Sequence, residues 1–468
     1  ASERTPRHWI PACAGMTPSG GDAANTTLDS RLRGMTTMRG GWYVERIRGS
    51  PPAGPWDRRP RLAKVAWARE RFTERRQFAN ITHPPAGNRP TMQIASKLPR
   101  VGTTIFTVMS QLAMQHKAVN LGQGFPDFDG PPALREALTR HMAEGRNQYA
   151  PMTGVPRLRE QIARKTERCY GRRTDPETEV TVTSGATEAL FAAIAAVVQA
   201  GDEVIVLDPC YDSYEPAIEL QGGRAVHVPL ALPDFHVDWD RVAAAVTPRT
   251  RMILVNSPHN PSGAAFDAAD LEALAALAER HDLLVLSDEV YEHIIYDGRA
   301  HQSVLRHPGL AARAFTVSSF GKTYHCTGWK VGYCVAPPAL TREFRRVHQF
   351  VTFVAVTPIQ HALADFMAGA PGHVDELPAF YQAKRDLFCG LLGGSRWRAL
   401  PSAGTYFQLL DYSAIRDVDD VTMAGELVSA HGVAAIPVSV FCERPPHLRL
   451  LRYCFAKQNE TLVRAAEL

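Results

Sequence analysis

Between residues 179 and 337 one pattern recurs, and it restricts the fold more than any other feature of the chain. Short, unbroken apolar runs (EVTVTSG, GDEVIVLDP, TRMILVNSP, LLVLSDEVY, AFTVSSFG, VGYCVAP) are interspersed with helical stretches such as ATEALFAAIAAVVQA and DAADLEALAALAERHD. A strand that is apolar at every position, rather than at every second one, has both of its faces covered. Strands covered by helices on both faces build a mainly parallel sheet, so the expected fold class is α/β, with a large domain of that kind. No internal repeat is visible.

Helical spacing also marks TTIFTVMSQLAMQHK, PPALREALTRHMAEG and VPRLREQIARKTERCYG, the second with proline at its start and glycine at its end. From residue 341 a long helical stretch, TREFRRVHQFVTFVAVTPIQHALADFMAG, precedes strands in TYFQLLDY, VAAIPVSVF and LRLLRYCFA around the helix VTMAGELVSAHG. That mixture predicts a smaller α+β domain. The expected division is an N-terminal arm and part of the small domain in 92–135, a large domain in 136–340, and the C-terminal small domain in 341–468. A chain of 468 residues suits several structural units.

Residues 1–91 follow neither a period of 2 nor one of 3.6. They hold 15 Arg and one Lys against seven acids, a net +9, so the formal +4 of the whole chain leaves −5 for the rest. The positive balance belongs to this segment, and no nucleic-acid partner is inferred from it. A transit peptide, a regulatory arm, and an extension upstream of a start near Met92 are the three readings. The third is adopted, since HWIPACAGMT reads like translated repeat DNA, and the segment is expected to be disordered. No apolar stretch approaches the roughly 20 residues of a membrane helix, so no membrane partner is expected. The eight cysteines form no C-x-x-C pair and no compact cluster, which predicts reduced thiols, a cytoplasmic protein and no metal site.

Ligands of open α/β sheets bind beyond the carboxyl ends of the strands, and four polar stretches lie there. SGATEAL (184–190) opens a helix whose N–H groups and positive dipole end suit a phosphate, with Thr187 adding a hydroxyl; a plain helix start capped by Ser184 is the alternative. NSPHNPSG (256–263) puts Asn260 before a proline, which favours extended backbone; it also reads as a polar turn. In SDEVYEH (287–293) Asp288 is placed either to keep a ring nitrogen protonated or to cap a helix. SSFGKTYHCTGWKVG carries Lys322 and Lys330, and Lys322 is either a nucleophile beside a charged cofactor or an exposed lysine. Together they describe one ligand. Its phosphate meets the helix start, Ser319 and Lys330; its ring nitrogen meets Asp288; its phenolic oxygen meets Asn260 and Tyr291; its aldehyde meets Lys322. Pyridoxal phosphate has those groups.

The ordered motifs NLGQGFPDF, QYAPMTG, SGATEAL, HNPSG, SDEVY, SFGKTYHCTGWKVGY and LRYCFAK resemble those of the fold-type I, class I/II aminotransferases. Their wording is similar to bacterial methionine aminotransferases and to the kynurenine aminotransferase/glutamine transaminase K branch. The resemblance runs from about Ser96 to the C-terminus. It implies an aspartate aminotransferase-like fold, a homodimer, and transfer of an amino group from an amino acid to a 2-oxo acid. Lys322 would bond to the cofactor aldehyde and act as base, Asp288 would pair with the ring nitrogen, and Tyr291 and Asn260 would bind the phenolic oxygen. Ala186, Thr187, Ser319 and Lys330 would hold the phosphate, Tyr211 would stack on the ring, and Tyr149 would reach the phosphate of the neighbouring subunit. Arg452 would grip the substrate carboxylate bidentately, helped by Asn260 and the backbone of Gly124. Lys330 stands where many class I members carry Arg, making that contact a point charge. Phe125, Tyr149 and Phe353 suggest an apolar side-chain pocket, with methionine preferred over phenylalanine, histidine, glutamine and kynurenine. The rival reaction is a β-lyase acting on cysteine conjugates. A non-catalytic, cofactor-binding regulator is the remote alternative, for residues 1–91 show no helix-turn-helix.

Overall fold

The computed structural model describes residues 94–444 and 447–468; the expectations for residues 1–91 lie outside them. Seven strands form the central sheet: β1 (Val180–Thr183), β2 (Glu203–Asp208), β3 (Arg224–Pro229), β4 (Thr250–Asn256), β5 (Leu284–Asp288), β6 (Ala314–Ser319) and β7 (Gly332–Val335). Their order in space is β1-β7-β6-β5-β4-β2-β3. The neighbours from β3 to β6 are all parallel, and β7 alone runs against β6 and β1. The unbroken apolar runs therefore do form a mainly parallel sheet.

The strands obey their period of 2 across that sheet. Val204, Val206, Met252 and Leu254 point to one face and pack with Ala189, Ala193 and Ile194 of the helix Gly185–Val197. Ile205, Leu207, Ile253 and Val255 point to the other and pack with Leu271, Leu274 and Ala278 of the helix Ala268–Arg280. Burying each such side chain contributes about 1.5–3 kcal/mol, so both faces hold the sheet. The edge strand β3 is absent from the sequence reading. Its RAVHVP is half exposed and carries Arg224 and His227, so it lacks the continuous apolar signal of the inner strands.

A second, four-stranded antiparallel sheet brings together β8 (Phe407–Asp411), β9 (Ile436–Pro437) and β10 (Leu450–Cys454), with β10 between β9 and β8 and the short strand Arg398–Ala399 on the far side of β8. The N-terminal helix Ile105–His116 packs there through Met109 and Ala113, beside Met423, Leu427 and Phe455. Val119–Asn120 pairs in parallel with Val433–Ala434. The long helical stretch expected from 341 is instead two helices, Pro338–Val351 and Thr357–Gly369, with Phe353 between them at φ 68°. Pro358 causes the break. It has no N–H for the carbonyl of residue 354, and its ring would clash there, yet the first turn of a new helix accepts it. The second of these helices, grouped by sequence with the C-terminal part, packs through Leu363 and Phe366 beside Leu134, Leu158 and Val180. A further helix, His373–Leu391, has no counterpart in the sequence reading and forms in spite of Pro378.

Gly332 ties the sheet to the helix that opens the ligand site. A Cβ on it would lie 2.6 Å from the Ser318 carbonyl oxygen and 2.8 Å from the Ala186 nitrogen, both backbone atoms. Gly332→Ala must push the start of the helix Gly185–Val197 away from β6. We expect a loss of about 1–3 kcal/mol of stability, seen as a melting temperature several degrees lower; an unchanged melting curve would contradict this packing.

Candidate active site

The polar stretches at the strand ends meet at one cavity of about 330 Å³. β1 leads into Ala186 and Thr187, β2 into Tyr211, β4 into Asn260, β5 into Asp288 and Tyr291, and β6 into Ser319 and Lys322. Lys330 precedes β7, Arg452 arrives on β10 of the second sheet, and Gly124 comes from the N-terminal segment. Residues far apart in the chain thus share one wall because parallel strands end on the same side of their sheet.

Lys322 Nζ donates to the Tyr406 hydroxyl at 2.7 Å and to the Gly124 carbonyl at 3.1 Å. The Tyr406 hydroxyl donates to the same carbonyl at 2.6 Å. Neither partner is an anion, so burial dominates and brings the Lys322 ammonium down to about 8, with Arg452 and Lys330 pushing the same way. Such an amine is about half neutral near pH 8, and the neutral amine is the form that attacks a carbonyl.

Asp288 is 4% exposed. It accepts from the Tyr214 hydroxyl at 2.7 Å and from the Val290 N–H at 3.3 Å. Burial nevertheless raises its carboxyl to about 6, against the pull of those two donors and of Lys322. A carboxyl held up by desolvation responds strongly to a cation, so a protonated ring nitrogen beside it would restore the carboxylate. Asn256 fixes the height of this strand end: its Nδ2 donates to the Asp288 carbonyl at 2.8 Å, and its Oδ1 accepts from the Asn260 N–H at 2.9 Å.

Arg452 is 1% exposed. It donates to Asn260 Oδ1 at 2.7 Å and to the Gly122 carbonyl at 2.9 Å, and its guanidinium lies 3.9 Å from the centre of the Phe407 ring. None of the salt bridges among the described residues involves it, and its Nε has no hydrogen-bond partner there. A surface ion pair is excluded. A buried cation without an anion is costly, and a ligand carboxylate would offset that cost.

Lys330 Nζ lies 3.4 Å from Thr187 Oγ1, beside the first turn of the helix Gly185–Val197. Ser184 does not cap that helix, nor does any other side chain among the described residues, and the Ser184 N–H instead donates to Glu188 at 2.9 Å. The helix start is left to receive an anion.

Three expected pocket residues lie elsewhere. Tyr149 is 83% exposed, outside the cavity, with its ring 5.6 Å from that of Phe353. Phe125 and Phe353 are each 44% exposed and do not line the cavity either. The sequence places them near the right motifs but not on the inward side of the chain. Phe106 and Phe407 supply the apolar wall instead. Sequence reasoning misses Tyr214 and Asn256, although both stand inside or beside the polar stretches, three residues after Tyr211 and four before Asn260. Phe106 and Tyr406 carry no local signal, because only tertiary packing brings Phe106 to Arg452 and Tyr406 to Lys322.

Pyridoxal phosphate fits this donor set. The cavity offers an uncapped helix start with Lys330 for a phosphate, a buried carboxyl for a ring nitrogen, and a buried amine of lowered basicity for an aldehyde. Its volume falls at the lower end of the range for small-molecule sites.

Residues 116–467 match the family described as aminotransferase class I and II. The methionine aminotransferase of Escherichia coli K12 is 57% identical over 373 residues, 80% of this chain and 96% of that protein. A solved E. coli methionine aminotransferase aligns with a TM-score of 0.79 and 56% identity, over 80% of this chain and 98% of that one. A probable N-succinyldiaminopimelate aminotransferase of Mycobacterium tuberculosis is 40% identical, over 78% of this chain and 95% of that protein. Kynurenine–oxoglutarate transaminase 1 of Mus musculus is 34% identical, over 79% of this chain and 95% of that protein. With a fold, a cavity and a sequence that agree, the chain belongs to the class I and II aminotransferases and is a pyridoxal-phosphate enzyme.

Proposed function

We propose that this enzyme transaminates amino acids with apolar or aromatic side chains, methionine first among them, with a 2-oxo acid as acceptor. The observation that carries this reading is Arg452, a buried guanidinium without a carboxylate partner among the described residues, which lies against the rings of Phe106 and Phe407 in the cavity that Lys322 also lines. It suits an α-carboxylate, and the two rings suit a thioether, since sulfur packs favourably against aromatic edges. Among the described residues lining the cavity, the other cations are Lys322 and Lys330. The E. coli relative supports methionine as the first donor.

Bound pyridoxal phosphate supplies the aldehyde that receives the amino group and a ring that takes up electrons. Lys322 Nζ is the amine that would hold the aldehyde and, when free, the base placed to take the substrate α-proton. Asp288, steadied by Tyr214, would keep the ring nitrogen protonated. Asn260 and Tyr291 would bind the phenolic oxygen, and Tyr211 would pack against the ring. Ala186, Thr187, Ser319 and Lys330 would hold the phosphate. Arg452 and the backbone of Gly124 orient the substrate carboxylate, and Asn260 links that grip to the cofactor through its 2.7 Å bond from Arg452.

We further propose a homodimer in which Tyr149 serves the neighbouring site. Its 83% exposure, and the 85% exposure of Phe350, support a covering partner. A cytoplasmic location is proposed as well, and the seven free cysteines among the described residues suit it. Among these residues no helix is long and apolar enough to cross a membrane.

A panel of amino donors, followed by 2-oxo acid formation, tests the substrate. Methionine should give the highest kcat/KM. Predominant release of pyruvate and thiol from cysteine conjugates would assign a β-lyase instead. Arg452→Lys should raise the KM for methionine by about tenfold or more, because a point charge replaces a two-pronged, charge-assisted pair; an unchanged KM would remove Arg452 from the carboxylate site.

The pH dependence has a definite sign. Lys322 captures an aldehyde only when neutral, so in the cofactor-free chain the capture rate should rise with pH and be half-maximal near about 8. An ordinary lysine would place that midpoint at about 10.4. Absorbance changes on mixing with pyridoxal phosphate across neutral and alkaline pH distinguish the two.

A further inference from the structure

A cluster of metal-ligating side chains lies at the end of β2, apart from the reacting groups. β2 and β3 run in parallel with Val206 opposite His227, and Asp208, two residues on, points to the same face. Cys210 follows after Pro209. One ligand atom each from Asp208, Cys210 and His227 lies within 4.8 Å of the others. His227 Nδ1 is 2.7 Å from Asp208 Oδ1, and the side chains are only 5% and 6% exposed. The second oxygen of Asp208 accepts from the Glu443 N–H at 2.8 Å. A separate cavity of about 530 Å³ opens on Asp208 and His227, with Cys442 on its wall.

A further observation concerns the far side of the imidazole. His227 Nε2 is buried and has no hydrogen-bond partner among the described residues, and the nearest carboxylate oxygen to it in any ion pair is that of Glu215, at 4.0 Å. When a histidine binds a metal through one nitrogen, its other N–H commonly donates to a carboxylate, which fixes the ring. Glu215 Oε2, at 4.0 Å, lies beyond hydrogen-bond reach and would have to close on Nε2 to be that partner if Nδ1 is the ligand.

We propose that Asp208, Cys210 and His227 form a binding site for a zinc-type divalent cation, with the fourth position open to the cavity that Cys442 lines. Thiolate, imidazole and carboxylate together suit such an ion, whereas magnesium and calcium take oxygen ligands. Binding displaces the Cys210 thiol proton to solvent, and the proton between Asp208 and His227 gives way to the metal while Nε2 carries the ring N–H. No oxidation or reduction is involved. Sequence spacing cannot reveal the site, because Asp208 ends one strand, Cys210 follows it, and His227 sits on the neighbouring strand.

The test uses the full-length holoenzyme, cleared of metal by a chelator and titrated with Co²⁺ or Zn²⁺ alone. We expect one equivalent of Co²⁺ to bind with the visible bands of a four-coordinate, thiolate-containing site, and Zn²⁺ to displace it. Cys210→Ser, which keeps a hydroxyl donor near Asp208, and His227→Gln should each weaken binding by about tenfold or more. Cys326→Ser should leave it unchanged. Zn²⁺ should raise the melting temperature of the wild type and not that of Cys210→Ser. If the wild type binds no stoichiometric metal, or if binding survives both substitutions, the site does not exist and Asp208–His227 is a buried ion pair. The wild-type titration is decisive by itself, so a variant that fails to fold does not protect the proposal.

Discussion

The site depends on desolvation of charges that the protein leaves without full partners. Lys322, Asp288 and Arg452 are all withdrawn from water around one cavity, and burial is the largest influence on each. It weakens the lysine as a cation, the aspartate as an anion, and leaves the arginine without a counter-ion among the described residues. Isolated buried charges of this kind destabilise a fold. Here they suit a ligand that brings an aldehyde, a basic ring nitrogen and, with the substrate, a carboxylate. Each group supplies what one side chain lacks.

The sheet makes this arrangement geometrically possible. Parallel strands deliver their ends to one side, and Asn256 and Asn260 connect those ends in series. Arg452 donates to Asn260, the Asn260 N–H donates to Asn256, and Asn256 donates to the carbonyl of Asp288. The residue proposed for the substrate carboxylate and the one proposed for the ring nitrogen are therefore joined by a short path of direct hydrogen bonds. Tyr406 has the corresponding task for Lys322, since it receives the amine while giving its own proton to Gly124.

What is legible in the sequence follows from these physics. Inner strands such as VIVL and MILV announce themselves because both faces are covered, and the polar residues that end them are conspicuous against that background. Lys322, Asp288, Asn260 and the helix start at Ala186 can be read in this way. β3 cannot, because an edge strand need be apolar on fewer positions, and RAVHVP carries two polar ones. The break before Thr357–Gly369 is written in Pro358, but apolar helical spacing on both sides conceals it. Phe106 and Tyr406 illustrate a different limit. Nothing near them in the chain refers to Arg452 or Lys322, and their place arises only when the second sheet and the N-terminal segment close over the first.

The central claim is that the amine of Lys322 holds the aldehyde. Borohydride reduction of the holoenzyme fixes the cofactor to whichever nitrogen bears it, and peptide mass mapping then identifies that residue. The account predicts the added mass on the peptide containing Lys322 and on no other lysine. A label on Lys330 or elsewhere, with Lys322 unmodified, would contradict it.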